Sequence, residues 1–201
     1  MPRFPAGTQA ILFGSISLIG DPAGDTIVNL VERERENLVI SFDPNIRESL
    51  IVDSRAYRKR VERAVAASTI VKVSDEDLAW MSGTDDLEAA AMDLLKQGPL
   101  LVVVTQGDEG SRAYTNEAFC RAAAEKSSIS DTVGAGDSFH AAVLAWCYHS
   151  GMLQRDRIAE LKTKDLEAML RFAGAVAAKT CSRAGADPPR LSEVQTRFRS
   201  W

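Results

Sequence analysis

Short stretches of almost unbroken apolar character alternate along this chain with longer stretches of helical periodicity. The apolar stretches are residues 10–18 (AILFGSISL), 38–43 (LVISFD), 69–73 (TIVKV) and 100–105 (LLVVVT). Strands that are apolar at successive positions are buried on both faces, which is typical of a parallel sheet with helices on each side. We therefore predict a three-layer αβα fold of the α/β class around a mainly parallel central sheet.

The segments between these strands predict the helices. Their patterns indicate helices over residues 25–36, 54–68, 85–98 and 164–180, one from about 135 to about 150, and a short one over 191–200. Ser74 and Asp77 have nearly the arrangement of a capping box, which predicts a further helix start. Residues 111–115 and 118–123 predict a hairpin. The Pro- and Gly-rich pieces are short and no repeat is present, so we predict one domain.

Charge and cysteine content exclude several functional classes. A net charge of −4 offers neither nucleic acid nor an anionic membrane a basic surface, and no apolar run approaches the ~18 residues needed to span a bilayer. Residues 1–9 lack the layout of a secretory signal. Three scattered cysteines favour a reducing compartment, so we predict a cytoplasmic protein. His140 and His149 form no zinc-like pattern with them, and we interpret all five residues as structural.

Polar segments follow three of the predicted strands directly. They are DPNIR at residues 43–47, SDED at 74–77 and TQGDEG at 105–110. Ligands of open parallel sheets bind beyond the carboxyl ends of the strands. We therefore predict that the functional site lies along this rim of the sheet.

The stretch DTVGAGDSFHAA at residues 131–142 combines small residues with an aspartate, Asp137, where a helix is predicted to begin. Small residues let backbone N–H groups approach a ligand closely, and a helix N-terminus attracts anions. Neither the P-loop lysine nor the dinucleotide-binding glycine spacing is present. Asp137 therefore either accepts a proton from a hydroxyl that attacks a phosphoryl group, or belongs to a plain helix cap.

This stretch resembles the second hallmark motif of the ribokinase-like (PfkB-type) carbohydrate kinases. The segments FGSISL, SFDPNIR, VKVSDEDL, VVVTQGDEGS and TCSRAGADPPR also resemble the bacterial fructokinase branch in order and spacing, so the resemblance extends from about residue 10 to about residue 195. It implies a ribokinase-like fold and ATP-dependent phosphorylation of a sugar hydroxyl, with D-fructose and fructose 6-phosphate as the expected pair. ATP and Mg²⁺ would be the cofactors.

The resemblance also implies roles for individual residues at the reacting centre. Asp137 would activate the sugar hydroxyl, and the backbone amides of the Gly134, Ala135 and Gly136 stretch would form the anion hole. Arg47 would face the phosphate, where its planar charged fork suits phosphoryl oxygens. The neighbouring Asp43 and Asn45 would bind the sugar. The alternative is that these two residues only shape the turn, for which Asp and Asn are favoured.

Further positions match the family's nucleotide and metal sites. Thr105, Gly107 and Gly110 would meet the ATP phosphates, and Gly174 would lie near the adenine, where many relatives have an asparagine. Asp77 would hold Mg²⁺ through water, since it is shorter than the family's glutamate. The alternative for Thr105 and Gly107 is a plain turn, and the alternative for Asp77 is a helix cap. Potassium or ammonium would bind at Asp131, Val133, Thr180, Arg183 and Gly185, although Pro189 replaces a side-chain ligand.

Members of this family usually carry a further third of chain before the segment FGSISL, with a sugar-binding aspartate and a small β lid. We therefore expect residues 1–201 to be the C-terminal, nucleotide-binding and catalytic part of a kinase domain, N-terminally truncated and without the lid. Its partners would be a small sugar and ATP, and an exposed sheet edge would permit a homodimer or self-association. The alternatives are a non-catalytic nucleotide-binding remnant and a kinase for another sugar, such as 2-keto-3-deoxygluconate.

Overall fold

The computed structural model describes residues 4–194 and contains a six-stranded sheet. The strands are β1 (Ala10–Gly14), β2 (Val39–Asp43), β3 (Ile70–Ser74), β4 (Leu101–Thr105), β5 (Ser111–Tyr114) and β6 (Phe119–Ala122), and they lie in this order across the sheet. β1 to β4 are parallel, whereas β5 and β6 form an antiparallel hairpin beside β4. The predicted mainly parallel sheet and the predicted hairpin are confirmed.

Helices cover both faces of this sheet. They are α1 (Ala23–Glu34), α2 (Ser54–Ala67), α3 (Asp75–Ser82), α4 (Leu87–Leu95), α5 (Ala135–His149), α6 (Arg155–Ala159), α7 (Thr163–Cys181) and α8 (Leu191–Val194). Alternate strand residues face opposite layers: Val71 and Val73 pack with α1 to α4, whereas Ile70 packs with α5 to α7. The three-layer architecture follows from this double burial. Within residues 4–194, no helix is both long and apolar enough to cross a membrane.

Helix boundaries follow the capping residues that the sequence offers. Ser74 accepts the backbone N–H of Asp77 at 3.1 Å, which confirms the predicted start of α3, and Gly83 ends that helix with a φ of 72°. Asp53 and Asp86 cap α2 and α4 in the same way, through N–H groups three residues ahead. These bonds satisfy donors that the first helical turn otherwise leaves unpaired.

The structure differs from the predictions at β1 and at α6. The strand predicted over residues 10–18 ends at Gly14, and Ser15–Leu18 form a short 3-10 helix. The two strand ends approach closely at this point, because a Cβ on Gly14 would lie 1.7 Å from the carbonyl oxygen of Asp43. Helix α6 was not predicted. Residues 195–200 of the predicted last helix lie outside the described residues.

Candidate active site

The polar segments that follow the parallel strands meet at one rim of the sheet. The register places Gly14 beside Asp43 and Ser74 beside Thr105, and each of these four residues ends its strand. The rim therefore collects the segments that begin at residues 43, 74 and 105, as the sequence predicted.

A buried ion pair lies beneath this rim, on the side of the sheet that α5 covers. Lys72 Nζ donates to Asp43 Oδ2 at 2.8 Å, and both side chains are less than a tenth exposed. The other carboxylate oxygen of Asp43, Oδ1, is buried without a hydrogen-bond partner among residues 4–194. Burial raises the pKa of Asp43, the Lys72 charge opposes that rise, and the Asp137 charge adds to it. Asp43 is thus electrostatically coupled to both residues.

His140 on α5 completes this buried cluster. Its Nε2 lies 2.6 Å from Ser41 Oγ, and its Nδ1 lies 3.9 Å from Asp43 Oδ2. Burial first, and the Lys72 charge second, lower the pKa of His140 to about 3, so its ring is neutral at pH 7. His140 was predicted to be structural, and neither Lys72 nor Ser41 was a predicted site residue. A lysine in the middle of the apolar stretch TIVKV was the signal available for Lys72.

The predicted small-residue stretch forms the first turn of α5. Gly134 caps the helix with a φ of 77°, and a Cβ there would lie 3.0 Å from the Cβ of Ala186. Ser138 Oγ donates to the Gly134 carbonyl at 2.7 Å, and Thr180 Oγ1 donates to Ser138 Oγ at 3.0 Å. The start of α5 is therefore tied to the end of α7.

Asp137 is the third residue of α5 and its side chain is exposed, whereas the residues that follow it are buried. Gly136 is exposed beside it. The N–H of Ala135 donates to the Thr132 carbonyl at 3.2 Å and is engaged within the turn. N–H groups at this position of a helix point outwards along its axis, so the turn offers an anion the remaining amides together with the helix dipole.

Arg47 and Asn45 lie in the loop that follows β2. Asn45 has a φ of 38°, and the exposed Arg47 donates from Nη1 to the carbonyls of Asn45 at 3.4 Å and Ile46 at 3.2 Å. The guanidinium is therefore folded against its own loop. The structure places Arg47 at the predicted rim, and no hydrogen bond or ion pair joins it to the α5 turn within the described residues.

Asp77 joins this loop to the start of α3. Its Oδ1 accepts the N–H of Ile46 at 3.2 Å. Burial raises the pKa of Asp77, while the Ser74 hydroxyl and the Ile46 N–H oppose the rise. Nearby Tyr57 has a buried hydroxyl that has no partner among the described residues, and burial together with the Asp77 charge raises its pKa to about 12. Tyr57 was not a predicted site residue.

The residues predicted to meet ATP lie at two places on the β4 to β6 side of the molecule. Thr105 ends β4, and Gly107 begins a short 3-10 helix with a φ of 52° and open space around it. Position 110 requires glycine for a structural reason, because a Cβ there would lie 2.1 Å from the Ala122 carbonyl oxygen. Gly174 lines a groove of about 530 Å³ between α7 and residues 121–126.

The loops predicted to hold a monovalent cation contact one another. Asp131 accepts the N–H of Val133 through Oδ1 at 3.0 Å and that of Gly185 through Oδ2 at 2.9 Å. These two donors hold the pKa of Asp131 below its usual value. The Thr180 carbonyl accepts the N–H of Arg183 at 3.0 Å, so the loop carbonyls are partly used internally. Among the described residues, no group of three or more His, Cys, Asp or Glu side chains could hold a metal ion.

Most of the chain is similar to proteins of one family. A family model described as pfkB family carbohydrate kinase matches residues 9–193. The chain is 40% identical over 166 residues to a fructokinase of Rhizobium leguminosarum bv. trifolii, covering 83% of this chain and 51% of that protein. It is 32% identical over 185 residues to fructokinase-1 of Oryza sativa subsp. japonica, covering 91% and 55%. The chain spans about half the length of these relatives.

Solved structures of sugar kinases resemble the whole described fold. Aminoimidazole riboside kinase from Salmonella enterica, complexed with aminoimidazole riboside and an ATP analog, superposes with a TM-score of 0.79 and 25% identity over 96% of this chain and 64% of that chain. A fructokinase from Vibrio cholerae O395 in its fructose-, ADP- and calcium-bound form gives 0.76 and 25% over 90% and 58%. An uncharacterized sugar kinase from Pyrococcus horikoshii in complex with ATP gives 0.78 and 26% over 94% and 57%.

Proposed function

Because the chain belongs to the pfkB family of carbohydrate kinases, we propose that it forms the nucleotide-binding and catalytic part of an ATP-dependent sugar kinase. The observation that carries this proposal is the exposed Asp137 in the first turn of α5, at the rim where a parallel sheet binds its ligands. D-Fructose is the proposed acceptor, since two similar curated proteins are named fructokinases and one similar structure holds fructose.

Asp137 is the proposed base of the reaction. The sugar hydroxyl oxygen attacks the γ-phosphorus of ATP, the bond from that phosphorus to the β-bridging oxygen breaks, and the hydroxyl proton passes to the Asp137 carboxylate. An exposed carboxylate suits this role because it reaches a bound hydroxyl without protein rearrangement. Its position three residues into α5 puts the proton acceptor beside the anion-attracting helix terminus.

The first turn of α5 is the proposed anion hole for the transferring phosphoryl group. Gly134 and Gly136 keep its backbone accessible, and the bonds from Ser138 and Thr180 hold it in place. The Ala135 amide would first have to leave the Thr132 carbonyl. Arg47, which bonds only to carbonyls of its own loop within the described residues, could turn towards the phosphates with little loss.

The nucleotide would extend from this turn across the hairpin side of the molecule. Thr105 and Gly107 flank the rim at the end of β4, next to the segment that begins with Ser74. The groove that Gly174 lines is large enough for a base and is open, since no atom lies within 4 Å of a Cβ on Gly174. Gly110, which packs closely on Ala122, is proposed to meet the phosphates beside Gly107.

Mg²⁺ and a monovalent cation are the proposed ions. A single half-buried carboxylate at Asp77 fits Mg²⁺, which keeps several waters and binds through one or two carboxylates together with substrate phosphates. Mg²⁺ would neutralise phosphate charge at this position.

The monovalent cation would bind at the loops joined by Asp131. Both carboxylate oxygens of Asp131 already accept backbone N–H groups, so K⁺ would use the loop carbonyls of Thr180, Arg183 and Gly185, each of which has a second lone pair. Pro189 adds no side-chain ligand, because its side chain has no oxygen.

The proposal is tested by measuring ADP formation by the purified chain with ATP, Mg²⁺, K⁺ and a panel of D-fructose, D-ribose and 2-keto-3-deoxygluconate. Asp137→Asn should lower the rate of ADP formation by about 10²-fold or more and leave ATP binding intact. Asp156→Asn, an exposed acidic change on α6, is the matched control and should retain the wild-type rate.

The outcomes of this assay separate the candidate functions. Turnover with another sugar but not with fructose would mean that D-fructose is not the acceptor, while the proposed phosphoryl transfer would stand. ATP binding without turnover on any sugar would favour a non-catalytic nucleotide-binding protein. Full activity of Asp137→Asn would exclude Asp137 as the base.

A further inference from the structure

Gly136 packs directly against Lys72. A Cβ on Gly136 would lie 3.3 Å from Lys72 Nζ, and no atom of Asp43 comes within 4 Å of that position. The ammonium group of Lys72 is therefore the charged group nearest to Gly136, in the turn that also carries Asp137. A side chain at this position would press on the ammonium, which would have to shift by a few tenths of an ångström.

The side chains of β2 and β3 explain how a lysine comes to be buried here. Val39 and Ile70 face α5 to α7, so Asp43 and Lys72, which lie an even number of residues further along their strands, face the same layer. Burying a lysine requires a partner, and Asp43 Oδ2 at 2.8 Å supplies it. The neutral His140 adds no second positive charge next to this pair.

The charges around this cluster are arranged asymmetrically. Lys72 extends from β3 towards the α5 turn, while Asp43 at the end of β2 bonds to its ammonium and leaves Oδ1 buried and unpartnered within residues 4–194. Asp137 on α5 and Asp77 on α3 are the remaining acidic groups coupled to the pair. Lys72 Nζ is therefore the end of the ion pair that lies nearer to Gly136 in the first turn of α5.

From this arrangement we propose that Lys72 is a positioning residue that holds positive charge beneath the anion site at the start of α5 and so strengthens the binding of nucleotide phosphates. The inference rests on the proposed function, since it assigns Lys72 to the same phosphate site. Lys72 acts through the turn, because its side chain is only 6% exposed and cannot itself cover a bound ATP.

Binding of ATP and of adenosine, each measured by titration calorimetry on the full chain, tests the proposal. Lys72→Met should weaken ATP binding by about tenfold and leave adenosine binding unchanged, since adenosine has no phosphate to attract. Asp43→Asn should bind ATP at least as tightly as the wild type, because it removes a negative charge and retains the lysine. A purely structural role for the pair predicts the opposite pattern, in which both variants lose ATP affinity together.

A double variant covers the case in which a single change prevents folding. Lys72→Met with Asp43→Asn leaves no unpaired buried charge and should fold, yet should still bind ATP more weakly than the wild type, because the nearer charge is lost. Lys96→Met, the same charge change at an exposed position on the C-terminal side of α4, is the control and should bind as the wild type does. Wild-type affinity in the double variant would overturn the inference alone. A wild-type chain that binds ATP no better than adenosine would overturn both the proposed phosphate site and the inference.

Discussion

The carboxylate of Asp131 accepts the backbone N–H of Gly185 at 2.9 Å, which joins two loops separated by 54 residues in the sequence. The same carboxylate accepts the N–H of Val133, so it also shapes the loop that leads into α5. The start of α5 and the end of α7 are thus held together at two levels, by this carboxylate and by the Thr180 to Ser138 bond. The geometry of the proposed anion hole depends on this connection.

Asp131→Asn should loosen the two loops, because an amide oxygen can accept one of the two N–H groups while its NH₂ group repels the other. We expect a lower Tm and faster hydrogen exchange at the Gly185 N–H, measured by NMR. Asp187→Asn lies on the same loop, where Asp187 contacts Arg183 at an exposed position, and should leave both quantities near wild type. Unchanged exchange at Gly185 in Asp131→Asn would contradict this account.

Gly14→Ala should strongly destabilise the fold. The new Cβ would lie 1.7 Å from the Asp43 carbonyl oxygen, and φ at this residue is 148°, so β1 would have to separate from β2 at the rim. We expect a loss of at least about 3 kcal/mol in the free energy of unfolding, measured by urea denaturation. Gly20→Ala is the matched control, because no atom lies within 4 Å of its Cβ position. Equal stabilities of the two variants would show that the strand ends can separate freely.

Acid should destabilise the protein through His140. Its pKa is lowered to about 3 in the folded state, so between its ordinary value and pH 3 the unfolded chain binds a proton that the folded chain does not. Stability is therefore lost as pH falls through this window, by up to about 1.4 kcal/mol per pH unit.

His140→Gln isolates this contribution, because glutamine can still bond to Ser41 but does not titrate. Urea denaturation at pH 7.5 and pH 5 should give a smaller decrease in unfolding free energy for His140→Gln than for the wild type. Identical pH dependence in the two proteins would mean that the pKa of His140 is the same in the folded and unfolded states.

The free edge of β1 should promote self-association. Within residues 4–194 this strand pairs on one side only, with β2, and Leu12 on it is 49% exposed. An exposed apolar edge strand is a template for pairing with another chain. We expect concentration-dependent association by analytical ultracentrifugation, reduced in Leu12→Lys. Ile129→Lys, at an exposed apolar residue outside the sheet, should associate like the wild type. A monomeric wild type at high concentration would rule this edge out as an interface.

Sequence alone was sufficient for the layered α/β architecture and for the rim at which the proposed site lies. Apolar runs such as residues 100–105 specify strands buried on both faces, and capping residues such as Ser74 specify where helices begin, because both effects act within a few neighbouring residues. The small residues before Asp137 likewise predicted the start of α5, where the anion site is proposed. The early end of β1 was not predicted, and neither was the close approach of Gly14 to Asp43 there, which joins residues distant in the sequence.

Only the tertiary structure decided which charges surround that anion site. Lys72 and Asp43 are 29 residues apart, and Ser41 and His140 are 99 residues apart, so no local pattern links them. The sequence predicted the segments that meet at the rim because strand polarity determines where each strand ends. It did not predict the buried cluster beneath the rim, because the pairing of buried charges depends on strand register and helix packing, which bring distant side chains within hydrogen-bonding distance.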